Sequence, residues 1–285
     1  MDRKVYLETT AIIDLIFKKN QTLKKIIDEF DLVYTSQYVK MEINKGFLNY
    51  LVLIYNRLVG AECLSDVISY LGNLNIHRKY HLGAAIEIFK EYIKAVEKKR
   101  PSELRFYNRD TTLDEPPLSQ LLLNDIRDYC CMRIKLFLKN IDAIEYEILN
   151  PMECVEINKP SLKNGLFKKR TIGCKKAENK CNIRDFFEHN KDYFDVISAK
   201  LVCPSSSAID KETEKRIRAL KEILQEILPY NKPFNNHEAH KLCLSCSDAI
   251  HCVVAPQQAS VISKNARHFQ PICEAINKKF ETYSS

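Results

Sequence analysis

The chain has 285 residues, 45% hydrophobic and 28% charged, the balance of an ordinary globular protein with room for one large domain or two small ones. No apolar run approaches the roughly 18 residues needed to span a bilayer, and Glu8 and Asp14 interrupt the only early apolar stretch, so the chain reads as cytoplasmic, without a signal peptide, and its 11 cysteines as reduced thiols. The net charge of +7 is modest for this length, but Lys163, Lys168, Lys169, Arg170, Lys175, Lys176, Lys180 and Arg184 stand in one segment against a single acid, Glu178.

In chain order, Lys4–Leu7 is expected to be a short strand, followed by a helix through Ile12, Ile13, Leu15, Ile16 and Phe17 that Thr9 or Thr10 can cap. A second helix is expected over about Gln21–Phe30, then a strand over Asp31–Tyr34. Ser36 precedes a third helix bearing Tyr38, Val39, Glu42 and Ile43. This alternation points to an α/β layer with a parallel sheet. From Phe47 the pattern changes. Helical apolar spacing marks Phe47–Val59, Leu64–Leu71, Ala84–Val96, the long stretch Leu118–Ile148 and finally Lys211–Leu228. Within Leu118–Leu138 the apolar residues exceed one narrow stripe, so more than one face needs cover, from the same chain or from a partner such as a second copy. Asn164, Gly165 and Gly173 mark Lys163–Arg184 as a loop. The last zone returns to α/β character, with a helix from about Asn236 to Ala255, the strand Ser260–Ser263 and a terminal element. The order is that of a divided α/β domain, 1–46 with 229–285, interrupted by a mainly helical insertion, 47–228.

Several polar residues fall where an α/β fold does chemistry. Glu8 follows the first strand, and ligands of open parallel sheets gather at the carboxyl ends of strands; capping the first helix is its structural alternative. Glu42 sits between the apolar Met41 and Ile43. Asp248 stands among the apolar residues Ala249–Ala255 of the late helix, where a buried carboxylate needs a partner such as a cation. Asn265 follows the last strand, placed to orient a water or a phosphate, or simply to turn the chain. A cluster of acids can hold hard divalent cations, which activate water and stabilise charge on a phosphate in transfer. The basic segment 163–184 is either a solvated loop or an arm that contacts phosphates.

Taken together, these pieces resemble the PIN-domain nucleases, the family that includes the ribonucleases of bacterial toxin and antitoxin pairs. Leu7-Glu8-Thr9 matches its first motif, Glu42 its helical glutamate, Asp248-Ala249-Ile250 its late Asp-Ala-hydrophobic motif, and Ser263-Lys264-Asn265 with His268-Phe269 its last. The resemblance covers about the first and last fifty residues. It implies a Rossmann-like α/β/α sandwich and an Mg²⁺- or Mn²⁺-dependent endonuclease cleaving phosphodiester bonds, most often in single-stranded RNA. Glu8, Glu42 and Asp248 would hold the metal, and Asn265 would complete the catalytic set. Thr9, Ser263 and Lys264 would meet substrate, joined from the insertion by Lys168, Lys169, Arg170, Lys175 and Lys176. Glu8 departs from the family's Asp, and its extra methylene moves the carboxylate by roughly 1.5 Å. A decayed, nucleic-acid-binding PIN-like module is therefore an alternative.

Three other motifs stand in the chain. Arg184 and His189 resemble the motif of HEPN ribonucleases, which need no metal. His237, His240, Cys243 and Cys246 have zinc-ligand chemistry, but on a helix they spiral instead of converging. Cys174, Cys181 and Cys203 lack a clear fourth ligand.

Overall fold

A computed structural model describes residues 2–73, 80–99, 118–142, 145–153, 160–168, 182–201, 211–227, 243 and 245–284. The chain divides into two compact units: Met1–Met41, Ile144–Glu156 and Ile172–Ser285 form the first, Glu42–Ala143 and Ile157–Thr171 the second. The expected insertion 47–228 is thus not one body. Two of its stretches join the first unit, and one of them adds a strand to the sheet.

The first unit is α/β. Its elements begin with β1 (Lys4–Leu7), α1 (Thr9–Ile16), α2 (Gln21–Ile27), β2 (Leu32–Ser36) and α3 (Gln37–Ile43), the last two residues of α3 belonging to the second unit. In the second unit follow a π-helical turn (Asn44–Leu48) and the helices α4 (Asn49–Val59), α5 (Leu64–Gly72), α6 (Tyr80–Lys99) and α7 (Leu118–Asp142). The chain then gives β3 (Glu147–Leu149) to the first unit and the hairpin β4 (Ser161–Lys163) and β5 (Leu166–Lys168) to the second. It returns to the first unit for α8 (Ile183–His189), α9 (Lys191–Lys200), α10 (Lys211–Ile227), α11 (Ser247–Val254), β6 (Ala259–Ile262), α12 (Ala266–Ala275) and β7 (Phe280–Glu281).

The sheet is parallel throughout, in the order β3-β2-β1-β6-β7. β1 is central because Val5, Tyr6 and Leu7 are fully buried, and β6 beside it is buried along its whole length. Such unbroken apolar runs are what a parallel strand covered on both faces requires. The register sets Lys4 opposite Leu32 on one side and opposite Ala259 on the other. The expected helix Leu118–Ile148 stops at Asp142, and Glu147–Leu149 instead pairs with Tyr34–Ser36. Sheet pairing there overrides the helical periodicity.

Local chemistry fixes the ends of the last helices. Asn277, at φ 56°, takes the left-handed position after α12; its N–H bonds to Glu274 O (3.2 Å) and that of Lys278 to Cys273 O (2.8 Å), a Schellman cap. The Lys278 side chain is thereby buried and donates to the carbonyls of Cys252 (2.6 Å) and Ala255 at the end of α11. Burial pushes its pKa down to about 8. Cys252 and Cys273 meet at 3.5 Å between Sγ atoms where α11 packs on α12, and every described cysteine is an unbridged thiol.

The second unit buries one stripe of α7, Leu123, Ile126, Cys130, Ile134, Phe137 and Ile141, while Met132 and Leu136 are exposed. One face is covered, where the composition led us to expect more. Its hairpin was read from sequence as loop. Asn164 (φ 51°) and Gly165 (φ 75°) are both left-handed, the two-residue turn that Asn-Gly favours because it matches strand twist. The hairpin docks on α4: Asn56 accepts from Phe167 N (3.0 Å) and donates to Phe167 O (2.9 Å), and Tyr55 donates to Gly165 O (2.9 Å). Gly165→Ala meets no steric neighbour, so its cost is the left-handed backbone alone, about 1–2 kcal/mol. Urea unfolding should show that loss, and an unchanged midpoint would mean the turn is not held.

Candidate functional site

Chain connections run from β1 outward to β2 and β3 on one side, whereas β6 and β7 lie on the other. The topological switch point therefore falls between β1 and β6, and a crevice outside the carboxyl ends of these strands is where open parallel sheets bind ligands. Glu8 stands at the end of β1. Ser263-Lys264-Asn265 stands at the end of β6.

Glu8 is 2% exposed and caps α1 itself, in place of the expected threonines: Thr10 N donates to Oε2 (2.6 Å) and Ala11 N to Oε1 (3.1 Å). Burial raises its pKa to about 7, against the lowering pull of the neighbouring His251, the two backbone amides and the Ser263 hydroxyl. The capping and active-site roles are thus not exclusive, since the carboxyl that holds the helix also lies beside the end of β6. Ser263 is fully buried, and its hydroxyl accepts from Asn265 N (3.0 Å). Lys264 between them is exposed.

Asp248, in the first turn of α11, differs from expectation. The helix is buried at Ala249–Val254, but the Asp248 side chain is 38% exposed, and the group beside it is His268, with Nδ1 3.4 Å from Oδ2. Asn265, the N-cap residue of α12, places its amide nitrogen 2.7 Å from the same Nδ1. An Nδ1–H aimed at Asp248 cannot accept from an amide, so the two contacts are compatible with the Asn265 amide turned, its oxygen facing the ring. Asp248, Asn265 and His268 form the exposed side of the site, and Glu8, Thr9 and Ser263 its buried floor.

Glu42 is 8% exposed in the last turn of α3, which starts where β2 ends, and it belongs to the second unit. Of the basic set, Lys168 is exposed at the end of β5, as is Lys163 across the hairpin. Lys169, Arg170, Lys175 and Lys176 lie outside the described residues, as do Cys174, Cys181, Cys203, His237 and His240. Cys243 and Cys246 are buried; burial pushes the Cys246 thiol up to about 12, and the Cys243 carbonyl accepts from Tyr38 Oη (2.5 Å). Arg184 and His189 are engaged within α8, Arg184 Nε with Glu188 (2.7 Å) and His189 Nδ1 with Asp185 O (2.6 Å).

Sequence reasoning missed His251. It is 1% exposed, one turn after Asp248, and within reach of Tyr6 Oη (Nδ1, 3.1 Å) and Thr9 Oγ1 (Nε2, 3.4 Å). Tyr6 Oη also meets Ser36 Oγ at 2.8 Å. A polar residue in an otherwise apolar helical run, in phase with Asp248, was the available signal.

The donor chemistry suits a hard cation. Two carboxylates, a hydroxyl and an amide oxygen are the ligand types that Mg²⁺ and Mn²⁺ take, and Mg²⁺ uses only one or two carboxylates while keeping several waters. Among the described residues, no group of three or more His, Cys, Asp or Glu is placed to hold a metal ion. No family model matches the chain, and no curated protein or solved structure does either. Among the described residues, no helix is long and apolar enough to cross a membrane.

Proposed function

We propose that the first unit is a PIN-type α/β/α nuclease that hydrolyses phosphodiester bonds, with single-stranded RNA as substrate and Mg²⁺ or Mn²⁺ as cofactor. What supports this reading is the position of Glu8 after β1 and of Asn265 after β6, at the switch point outside the carboxyl ends of the strands, with Asp248 joined to Asn265 through His268. Four sequence motifs in the family's order support it.

When bound, the cation supplies a more acidic water and charge stabilisation at the phosphate. The protein's own residues do the rest. Glu8 and Asp248 would hold the cation, and the Asn265 amide would orient a water or a phosphate oxygen. Exposed Lys264 offsets the charge of the polyanion as it approaches. Lys168, Lys169, Arg170, Lys175 and Lys176 would add phosphate contacts that strengthen binding of the polyanion. The HEPN alternative is less favoured, because Arg184 is tied to Glu188 within its own helix.

The test is cleavage of RNA and DNA panels with Mn²⁺, Mg²⁺ or EDTA over a range of salt. Cleavage of single-stranded RNA that EDTA abolishes is expected, with binding that falls by about 0.7 log unit per log unit of salt for each phosphate contact. Full activity in EDTA would overturn the metal-dependent reading.

A further inference from the structure

His251 is 1% exposed near the switch point, and its ring faces Tyr6 and Thr9 directly and reaches Ser36 through Tyr6. Nδ1 faces the phenol of Tyr6 on β1 (3.1 Å), which in turn meets Ser36 Oγ at the end of β2 (2.8 Å); Nε2 faces Thr9 Oγ1, the first residue of α1 (3.4 Å). Ser36 Oγ also accepts from Val39 N (3.2 Å) at the start of α3. Tyr38 packs edge-on to the ring at 5.0 Å between centroids, and Phe269 of α12 lies on it at 6.1 Å. The imidazole is thus held in one plane by aromatic walls and hydrogen-bonded at both nitrogens.

The two ring nitrogens hold different elements of the fold, Nδ1 the Tyr6 side on β1 and Nε2 the Thr9 side at the start of α1. We propose that His251 is the positioning residue of this site, whose Nε2 holds Thr9 and, through the backbone, the Glu8 carboxyl next to it in the chain, while Nδ1 anchors the ring to Tyr6. The kinetic consequence rests on the nuclease reading; the placement of the ring does not. Outer residues that orient first-contact groups change affinity or activity by about 10–100-fold when lost.

Two conservative variants separate positioning from bulk. In His251→Gln the amide reaches the place of Nε2 and can still donate to Thr9, whereas in His251→Asn it reaches the place of Nδ1 and can only serve Tyr6. With both folded, as read by thermal midpoint and near-ultraviolet dichroism, the expected result is that Asn lowers kcat for RNA cleavage by about 10–100-fold at little change in KM, and that Gln restores most of it. Equal losses in the two folded variants would overturn the proposal. Asp248→Ala runs alongside: if it cleaves like the parent, the nuclease reading fails, whatever His251 does. In that case ¹⁵N NMR of the imidazole in the full chain decides. Displacement of the Nε2 resonance by Thr9→Val and of the Nδ1 resonance by Tyr6→Phe is expected; ring resonances that respond to neither variant would overturn it.

Discussion

Asp248→Ala is expected to lower RNA cleavage by on the order of 10²–10³-fold, the usual loss when one preorganised charge-stabilising group is removed. Its folding stability should hardly change. The side chain is 38% exposed and faces His268 at 3.4 Å, so its removal leaves neither a cavity nor a buried charge. Activity and stability are therefore separable at this position. Steady-state cleavage assays beside thermal unfolding test the pair of expectations, and a variant that cleaves like the parent would remove Asp248 from the site.

Glu8→Gln should do the opposite, trading activity for stability in a pH-dependent way. Glu8 is fully buried, and its pKa is raised from 4.5 to about 7, chiefly by desolvation. Below pH 4.5 the carboxyl is protonated in folded and unfolded chains alike, and its charge costs nothing. From there to pH 7 the unfolded chain loses the proton while the folded chain keeps it, so stability falls with rising pH, by on the order of 3 kcal/mol in all. Above pH 7 that cost is constant. The amide variant carries none of it, so its stability relative to the parent should rise through this window and level off above it. Lys278 works in a different range, because its lowered pKa of about 8 makes stability rise with pH above that value. A divalent cation would replace the proton on Glu8. Mn²⁺ at pH 8 should thus stabilise the parent and not Glu8→Gln, a comparison open to denaturant titration at several pH values. Identical pH profiles for parent and variant would mean that the carboxyl is not buried as described.

Much of the first unit was legible in sequence. The strands at Lys4–Leu7 and Ser260–Ser263 fall within a residue of β1 and β6, because short apolar runs followed by a polar residue are an unambiguous signal in a buried parallel sheet. β3 was not legible: Glu147-Ile148-Leu149 is an exposed edge whose identity comes from pairing with β2 and not from its own residues. The hairpin was legible and misread, since Asn164-Gly165 was taken as a loop mark when its flanking residues made it a turn. At the site, Asp248 was found from the apolar residues that follow it and Asn265 from its place after the last apolar strand. The burial of Glu8 against Ser263 and the contacts of His251 needed three dimensions, because their partners lie more than 240 residues apart in the chain.

That separation governs when the protein can come to exist. β1 is synthesised long before β6, yet β6 is one of its two neighbours in the sheet, with Lys4 opposite Ala259. Until residue 262 has emerged, the central strand has an open edge of unsatisfied backbone groups, and the residues at the switch point have no common location. Contacts this distant are slow to form, since the closure entropy of the intervening chain is met before any pairing repays it. The second unit, built mostly from 42–143, has no such delay and can fold first. A nascent chain cut short before β6 would carry a folded helical body and an incomplete sheet, with one edge of its central strand still unpaired.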